Sequence, residues 1–325
     1  MSFWDNKSVL VTGATGLVGS WLVRDLLGKG ARVTALVLDN DPNSQLIRSG
    51  DYNRILVVIG DLRNYKDVSR AVFTNECTDI FHLGAQTIVG TALQDPISTF
   101  ESNIQGTWNV MEAARQSNGG VKSVVVASSD KAYGSSDQLP YLENFPLHGD
   151  GPYDVSKSCT DLIAQSYGIT YGVPVTIARC GNIYGGGDLN WSRIVPGTIR
   201  DLLNNKQPIL RSDGTFVRDY VHVDDVVSAY LRLAEVSQST NLNGEAFNFS
   251  RDEPLSVLEL YREISMVVAG KYIEPEIRNT AKSEIKDQHL NSGKAHSVLD
   301  WKSSMTLQSG LESTFNWYKT FLEGR

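Results

Sequence analysis

The sequence has few of the residues that form covalent or metal cross-links. Only three cysteines and five histidines occur among 325 residues. Cys77, Cys159 and Cys180 are odd in number and widely spaced, which argues against a disulfide framework and favours a reducing compartment. No Cys-x-x-Cys pair occurs, and the histidines lack metal-ligand spacing. We therefore expect no resident metal ion, and cysteines that serve as small buried apolar residues.

Long apolar runs and an excess of positive charge are also missing. No stretch of about 18 apolar residues is present, so no membrane span is expected. The first residues lack the apolar segment of a secretion signal. A formal net charge of −7 is unfavourable for sequence-independent binding of nucleic acid. We expect a cytoplasmic globular protein with neither nucleic acid nor membrane among its partners.

The order of the predicted elements indicates the fold class. Over residues 1–180, apolar strand-like runs alternate with helix-like periodic stretches, which predicts parallel strands joined by crossover helices. Beyond them the pattern is irregular, and residues 181–190 are predicted to form a loop. We predict an α/β protein with a Rossmann-type doubly wound parallel sheet, formed by 1–180 with about 215–250 returning to it. Residues 181–214 and 251–325 would form a smaller α/β substrate-binding lobe, with the cleft between the two parts.

A glycine-rich segment, Gly13-x-x-Gly16-x-x-Gly19, lies between the predicted strand 8–12 and the predicted helix 16–27. Glycines permit a tight turn and let backbone N–H groups approach a pyrophosphate at a helix N-terminus, where the helix dipole favours negative charge. The spacing differs from the GxGxxG dinucleotide fingerprint, but the physical requirement is the same. A glycine-rich turn without a ligand is the alternative. The predicted cofactor contacts here are Gly13, Thr15, Gly16, Leu17, Val18 and Gly19.

Two acidic residues are candidates for the adenosine end of that cofactor. Asp39 stands about 20 residues beyond the glycines, near the expected ribose-binding carboxylate, although a strand ending at Val37 would leave it slightly too far along. No arginine directly follows that strand end, so we expect NAD rather than NADP. Asp61 and Leu62 follow the third predicted strand and could reach the adenine. A helix cap is an equally good interpretation of Asp61.

A tyrosine and a lysine supply the chemistry of an oxidation. Tyr153 and Lys157 are four residues apart on the predicted helix 153–171, and therefore share one face. An ammonium near a phenol lowers the phenol pKa, so that Tyr153 could take a proton from a substrate hydroxyl. Ser129, at the end of the fifth predicted strand, could donate a hydrogen bond to the same substrate oxygen.

With these motifs the chain resembles the extended short-chain dehydrogenase/reductase family, whose members act on nucleotide sugars. The resemblance covers nearly the whole chain and is carried further by residues 81–86, 103–107, 179–185 and 218–225. It implies additional cofactor contacts from Leu83, Gly84, Ala85, Gln86, Asn103 and Ser128, beside Tyr153 and Lys157. It implies substrate contacts from Gln86, Ser129, Asn182, Arg193 and Arg218. A surface salt bridge is the alternative for Arg218.

The residues after Ser129 distinguish two branches of that family. Epimerases usually carry small uncharged residues there, whereas 4,6-dehydratases carry an acid followed by a second proton-transfer group. Asp130-Lys131 therefore resembles the dehydratases, and the Ser-Asp-Lys version is most similar to the CDP-glucose 4,6-dehydratase branch. An ion pair at a strand end is the alternative interpretation of these two residues.

The resemblance implies transient oxidation at C4 of the sugar by NAD, loss of water across C5 and C6, and reduction at C6. Asp130 would donate a proton to the departing C6 hydroxyl. Lys131 would act as the C5 base only if it were neutral; otherwise it would orient Asp130 or stabilise the enolate.

Three other functions stay open from the sequence: a nucleotide-sugar 4-epimerase, a simple dehydrogenase or reductase, and a non-catalytic NAD-binding regulator. The predicted helices 97–116 and 153–171 have apolar stripes that permit the four-helix homodimer common among related proteins. The sugar, the nucleotide and the pathway are not determined by the sequence.

Overall fold

The structure is a computed structural model that describes residues 2–280 and 285–324. Its strands are β1 (Ser8–Thr12), β2 (Arg32–Val37), β3 (Leu56–Ile59), β4 (Asp79–His82), β5 (Ser123–Ala127), β6 (Val175–Cys180), β7 (Asn182–Tyr184), β8 (Ile209–Leu210), β9 (Val217–Arg218), β10 (Tyr220–His222), β11 (Glu245–Phe249), β12 (Leu255–Ser256), β13 (Glu276–Ile277) and β14 (Asp287–Gln288).

The α-helices are α1 (Leu17–Gly28), α2 (Gln45–Arg48), α3 (Tyr65–Phe73), α4 (Val89–Gln94), α5 (Pro96–Phe100), α6 (Gly106–Gln116), α7 (Pro152–Tyr171), α8 (Ile194–Leu203), α9 (Val223–Ser237), α10 (Val257–Ala269), α11 (Gly293–Leu299) and α12 (Leu307–Glu323). Two 3₁₀ helices, Asp51–Arg54 and Asp130–Tyr133, and one π turn, Glu101–Gln105, complete the helical elements of the described ranges. None of these helices is long and apolar enough to cross a membrane.

Seven parallel strands form the central sheet, in the order β11-β6-β5-β4-β1-β2-β3. The chain adds β2 and β3 on one side of β1 and then returns to add β4 on the other side. The loops after β1 and β4 therefore diverge and leave a crevice at the carboxyl ends of these strands, where open α/β sheets bind ligands. This architecture confirms the predicted α/β class and the Rossmann-type doubly wound sheet.

Both faces of the sheet are covered by helices, because its strands alternate apolar side chains between two cores. Val9 and Val11 of β1 belong to a core shared with α1 and α9. Leu10, between them, belongs to a second core shared with α3, α6 and α7. The same alternation occurs along β5. Because helices cover both faces, the crevice lies at the carboxyl ends of the strands.

The second lobe is built around a separate core, in which α8, α10 and α12 pack against one another. Short two- and three-stranded sheets surround it: β7 with β10, β8 with β13, and β9 with β12 and β14. The main sheet reaches Cys180 at the end of β6 and receives β11 at its edge. The division proposed from the sequence is compatible with these positions and stays a prediction.

Two local expectations need correction. The predicted loop 181–190 contains β7, which pairs in parallel with β10 over three residues; so short a strand carries no periodicity of its own. The predicted helix 97–116 is continuous in direction but contains the π turn Glu101–Gln105. That turn adds a residue to the helix, and Asn103 lies in the middle of it.

Candidate active site

The glycine segment forms a cradle in which side chains would not fit. Gly13 has a φ of +71°, and a Cβ there would lie 2.8 Å from the backbone nitrogen of Gly84. A Cβ on Gly19 would lie 2.1 Å from the carbonyl oxygen of Gly13. Gly16 precedes α1 without any side-chain cap, so the first N–H groups of that helix remain available to an anion. The residues present therefore fit the pyrophosphate of a dinucleotide.

A threonine that the sequence analysis did not single out joins the two loops of the crevice. The Oγ1 of Thr12 accepts hydrogen bonds from the N–H groups of Leu83 (3.1 Å) and Gly84 (3.0 Å). The same oxygen lies 2.9 Å from Nδ1 of His82. One buried hydroxyl at the end of β1 thus holds the loop after β4 in register. In the sequence, this role of Thr12 is indicated only by the presence of a polar residue at the end of an apolar strand.

Asn103 holds the next part of that loop against α7. Its Oδ1 accepts a hydrogen bond from the backbone N–H of Gln86 (2.7 Å). Its Nδ2 donates to the carbonyl oxygen of Gln86 (3.0 Å) and to Oγ of Ser156 (2.8 Å). These bonds use the amide group of Asn103 to position the loop. A direct contact of Asn103 or Gln86 with the cofactor stays a prediction.

The two acidic candidates at the adenosine end have different surroundings. Asp39 is exposed and lies two residues beyond the end of β2. The carboxylate of Asp61 accepts hydrogen bonds from the backbone and guanidinium of Arg63, and this arginine lowers the pKa of the carboxyl group. Leu62 packs so closely that a Cβ on Gly84 would lie 2.5 Å from its Cδ1. Both acids flank the predicted cofactor path.

The predicted catalytic lysine is buried at the start of α7. Lys157 is 5% exposed, and its Nζ donates to the carbonyl oxygen of Ala127 at the end of β5 (2.8 Å). Burial lowers the pKa of Lys157 to about 8, opposed chiefly by the negative charge of Asp161. The side chain is therefore held at the end of β5, two residues before Ser129. Its contact with the cofactor stays a prediction.

Tyr153 lies one helical turn earlier on the same face of α7. Burial raises the pKa of Tyr153 to about 12, while the charge of Arg193 and a hydrogen bond with Ser129 act in the opposite direction. The structure thus brings the predicted Ser129, Tyr153 and Arg193 together. A lowering of the phenol pKa by Lys157 stays a prediction.

The acid after Ser129 has the surroundings of a proton donor. Asp130 is 3% exposed, and its Oδ1 accepts a hydrogen bond from Oγ of Ser129 (3.0 Å). Its Oδ2 is buried without a hydrogen-bond partner among the described residues. Burial raises the pKa of Asp130, and the strongest opposing influence is the charge of Lys131. A carboxyl group in this setting favours its protonated form.

Lys131 stands between two acids. The half-buried side chain of Lys131 lowers the pKa of Asp130 and also that of Asp154, each of which burial raises. Its backbone N–H donates to Oγ of Ser129 (3.2 Å) at the start of the 3₁₀ helix. The side chain of Lys131 therefore supplies positive charge near both carboxyl groups.

The predicted substrate residues differ in their surroundings. Arg193 forms an ion pair with Asp188 (3.0 Å). Arg218 is buried and donates hydrogen bonds to the carbonyl oxygens of Val217 (2.8 Å) and Lys286 (2.7 Å). Asn182 is exposed in β7. Their contacts with a substrate stay predictions.

Two residues beside Asp130 escaped the sequence analysis. Nε2 of Gln288 donates to the backbone oxygen of Asp130 (3.1 Å), and its Oε1 is buried without a partner in the described parts of the chain. Asp219 is also buried, which raises its pKa to about 7, with the charge of Asp130 adding to the rise. Both are distant from Asp130 in sequence, so no local pattern could have identified them.

Comparison with known proteins agrees with this geometry. A model of the NAD dependent epimerase/dehydratase family matches residues 9–249. The CDP-glucose 4,6-dehydratase of Salmonella typhimurium is 30% identical, over 99% of this chain and 93% of that protein. The structure of UDP-glucose 4-epimerase from Thermotoga maritima is similar with a TM-score of 0.87 and 25% identity, covering 97% of this chain and 99% of that one. The structure of dTDP-glucose 4,6-dehydratase from Streptomyces venezuelae, which contains NAD, is similar with a TM-score of 0.84 and 28% identity. The similarity covers 96% of this chain and 97% of that one.

The fold and the Ser-Tyr-Lys site define a nicotinamide-dependent enzyme of the short-chain dehydrogenase type. More closely, the chain belongs to the NAD dependent epimerase/dehydratase family, whose members act on nucleotide sugars. NAD is the cofactor, in agreement with the glycine cradle. Within the described residues, no group of three or more histidine, cysteine, aspartate or glutamate side chains could hold a metal ion.

Proposed function

We propose that the protein is a nucleotide-sugar 4,6-dehydratase that forms a 4-keto-6-deoxy sugar. The observation that carries this proposal is the buried carboxyl group of Asp130, which has one oxygen on Ser129 and the other without a partner among the described residues. An epimerase has no chemical step that requires a protonated acid at this position. A dehydratase requires one, because hydroxide is a poor leaving group unless it is protonated as it departs.

The redox half of the reaction belongs to Ser129, Tyr153 and Lys157. Tyr153 accepts the proton of the C4 hydroxyl. The hydroxyl of Ser129, which donates to Oδ1 of Asp130 in the structure, turns to donate to the same substrate oxygen. Lys157, buried and bonded to the end of β5, supplies positive charge that favours the phenolate. NAD, when bound, supplies the transient oxidation at C4 and the later reduction at C6.

The elimination half belongs to Asp130 and Lys131. A 4-keto group acidifies the C5 proton. A base of the cleft other than Lys131 takes up this proton, an enolate with negative charge remains, and the same base returns the proton to C5 after the reduction at C6. Lys131 is a cation within electrostatic reach of Asp130 and Asp154, so we assign it to stabilising that charge and orienting the acid. Asp130 then delivers its proton to the C6 oxygen, the C6–O bond breaks, and water leaves.

A nucleoside diphosphate sugar suits the charges on the lobe side of the cleft. We assign Arg193 and Arg218 to the diphosphate, because their charges act on Tyr153 and Asp130 respectively. We assign the exposed amide of Asn182 to the same group. Similarity to the Salmonella typhimurium CDP-glucose 4,6-dehydratase and the Asp130-Lys131 pair favour a cytidine nucleotide. We infer glucose as the hexose on the same ground.

A 4-epimerase is the second candidate, because an epimerase needs only Ser129, Tyr153 and Lys157. The high structural similarity to the Thermotoga maritima epimerase supports it. It would leave the buried carboxyl group of Asp130, whose pKa burial raises, without a task.

The deciding experiment is incubation of the purified protein with CDP-, dTDP-, UDP- and GDP-glucose, followed by mass spectrometry of the sugar nucleotide. The dehydratase proposal expects loss of one water from one of these substrates. A product of unchanged mass with inverted C4 would establish the epimerase instead.

The same assay tests the role of the acid. Asp130→Asn should retain oxidation at C4 but form dehydrated product at least about a hundredfold more slowly, as expected for loss of a general acid. Asp137→Asn, an exposed change in the following loop, is the matched control and should be unaffected. Full dehydratase turnover by Asp130→Asn would refute the assignment.

We further propose a cytoplasmic homodimer that forms through α5, α6 and α7. Large apolar side chains project from these helices with unusually high exposure: 70% for Ile97, 44% for Trp108, 53% for Leu162 and 74% for Ile169. α7 packs against both α5 and α6, and large apolar side chains left exposed on neighbouring helices are typical of a protein–protein interface.

A further inference from the structure

A second concavity lies outside the cofactor and substrate cleft, between α1, α2 and α12. Its volume is about 830 Å³, which is within the range of small-molecule sites. None of its lining residues belongs to the predicted cofactor, substrate or catalytic set. The residues that define its chemistry are Trp21, Arg24, Arg48, Trp317 and Phe321.

Two arginines in this concavity are fixed on aromatic rings without being neutralised. The guanidinium carbon of Arg24 lies 5.4 Å from the ring centre of Trp21, and that of Arg48 lies 4.6 Å from the ring centre of Phe321. Stacking of this kind orients a guanidinium and leaves its N–H edge free. In the described ranges, neither arginine forms an ion pair, whereas Arg54 on the same wall pairs with Asp51 at 2.8 Å.

A buried histidine lies behind the wall of the concavity. His222 is 2% exposed, and its Nδ1 accepts a hydrogen bond from the backbone N–H of Asp224 (3.3 Å) and lies 3.5 Å from Oδ2 of the same residue. Its Nε2 is buried without a partner among the described residues, so this nitrogen does not face the concavity. The anion-binding chemistry of the concavity therefore comes from Arg24 and Arg48.

The wall of the concavity is connected to the substrate cleft by the loop after β7. Nε1 of Trp21 donates to the carbonyl oxygen of Gly186 (2.6 Å). The hydroxyl of Tyr318 donates to the carbonyl oxygen of Asp188 (2.6 Å), and Asp188 forms the ion pair with Arg193. A ligand against Trp21 would therefore contact the loop that positions an arginine acting on Tyr153.

We propose that this concavity is a binding site for a phosphoryl-bearing small molecule, separate from the catalytic cleft. Two oriented guanidinium groups match the oxygens of a phosphoryl group, which arginine binds through paired N–H donors. The carboxylate of Asp224 also lines the concavity, so the anion lies toward Arg24 and Arg48 rather than toward that acid.

Isothermal titration calorimetry of the full chain with inorganic pyrophosphate tests this site. Arg24→Gln combined with Arg48→Gln should weaken binding about tenfold or more, since each lost charged hydrogen bond weakens affinity by that order. Arg262→Gln is the matched control, because Arg262 is exposed and stacks on Tyr272 at 5.6 Å far from the concavity. It should bind pyrophosphate as the parent does.

A second variant keeps the test decisive if the double variant is unstable. Asn316 is exposed on α12 and lines the concavity, so Asn316→Asp adds a negative charge without changing shape and should also weaken binding. Unchanged affinity in either variant would show that pyrophosphate binds only in the catalytic cleft and would overturn the proposal. Equal weakening by Arg262→Gln would do the same, as a nonspecific charge effect. Repeating the titration with CMP and glucose 1-phosphate distinguishes nucleotide from sugar phosphate ligands.

Discussion

Replacing Lys157 by methionine should remove a pH-dependent penalty from the folded state. Burial lowers the pKa of Lys157 from 10.5 to about 8. The unfolded chain, with its ordinary lysine pKa, therefore binds more protons than the folded chain between these two values. Because stability rises with pH wherever the unfolded state binds more protons, the parent protein should gain stability relative to Lys157→Met across this window.

The size of the effect follows from the width of the window. Each pKa unit corresponds to about 1.4 kcal/mol, so the full shift amounts to about 3 kcal/mol, of which about 2.5 kcal/mol accumulates between pH 7 and pH 10. The loss of the hydrogen bond to Ala127 lowers the variant's stability at every pH. This loss shifts the difference in the free energy of unfolding by the same amount at every pH and leaves its pH dependence unchanged.

Urea unfolding of both proteins at intervals from pH 7 to pH 10 measures this difference. Taking the difference between parent and variant cancels the titration of all other groups. Lys122→Met, which removes an exposed ammonium, is the matched control and should show a flat difference. A flat difference for Lys157→Met as well would refute the argument, because Lys157 would then titrate alike in the folded and unfolded chains.

Further predictions concern stability, cofactor binding and assembly. Asp161→Asn should lower the free energy of unfolding by about 3 kcal/mol or more in urea, because it strands the buried arginine that this acid pairs with at 2.8 Å. Gly19→Ala should weaken NAD binding, measured by calorimetry, at least about tenfold through a clash that costs more than 1 kcal/mol. Gly28→Ala, where a Cβ meets nothing within 4 Å, should leave NAD binding unchanged, and equal effects would contradict the cradle. Ile169→Glu should convert a dimer to a monomer in size-exclusion chromatography with light scattering, whereas Met266→Glu, an equally apolar exposed change on α10, should not. Monomers for all three proteins would exclude the proposed interface.

Features set by local sequence could be predicted. The sheet class follows from strand and helix alternation, and the cradle from the spacing of Gly13, Gly16 and Gly19. The shared face of Tyr153 and Lys157 follows from helix geometry alone. The structure and the comparisons confirm the fold class, the family and the cofactor.

Features that depend on contacts between distant segments could not be predicted. Thr12 acts on a loop that follows another strand, and Gln288 reaches Asp130 from near the far end of the chain. β7 exists only because β10 lies beside it. The sequence predicts Arg193 as a substrate residue, but its electrostatic effect on Tyr153 depends on the tertiary position of the segment before α8.

Buried polar groups along α7 and at the end of β5 are of two kinds: some have hydrogen-bond partners within the fold, and others have none among the described residues. The pair of Arg179 and Asp161 is almost fully buried, and both carboxylate oxygens accept guanidinium N–H groups. Its polarity is satisfied within the fold, as expected of a structural pair. At the end of β5, by contrast, Oγ of Ser128 and Oδ2 of Asp130 are buried without partners in the described parts of the chain, although each exacts a cost of about 1–3 kcal/mol. Packing alone gives no reason to keep such groups, but the ligands predicted for them, NAD beside Ser128 and a sugar hydroxyl beside Asp130, would satisfy both.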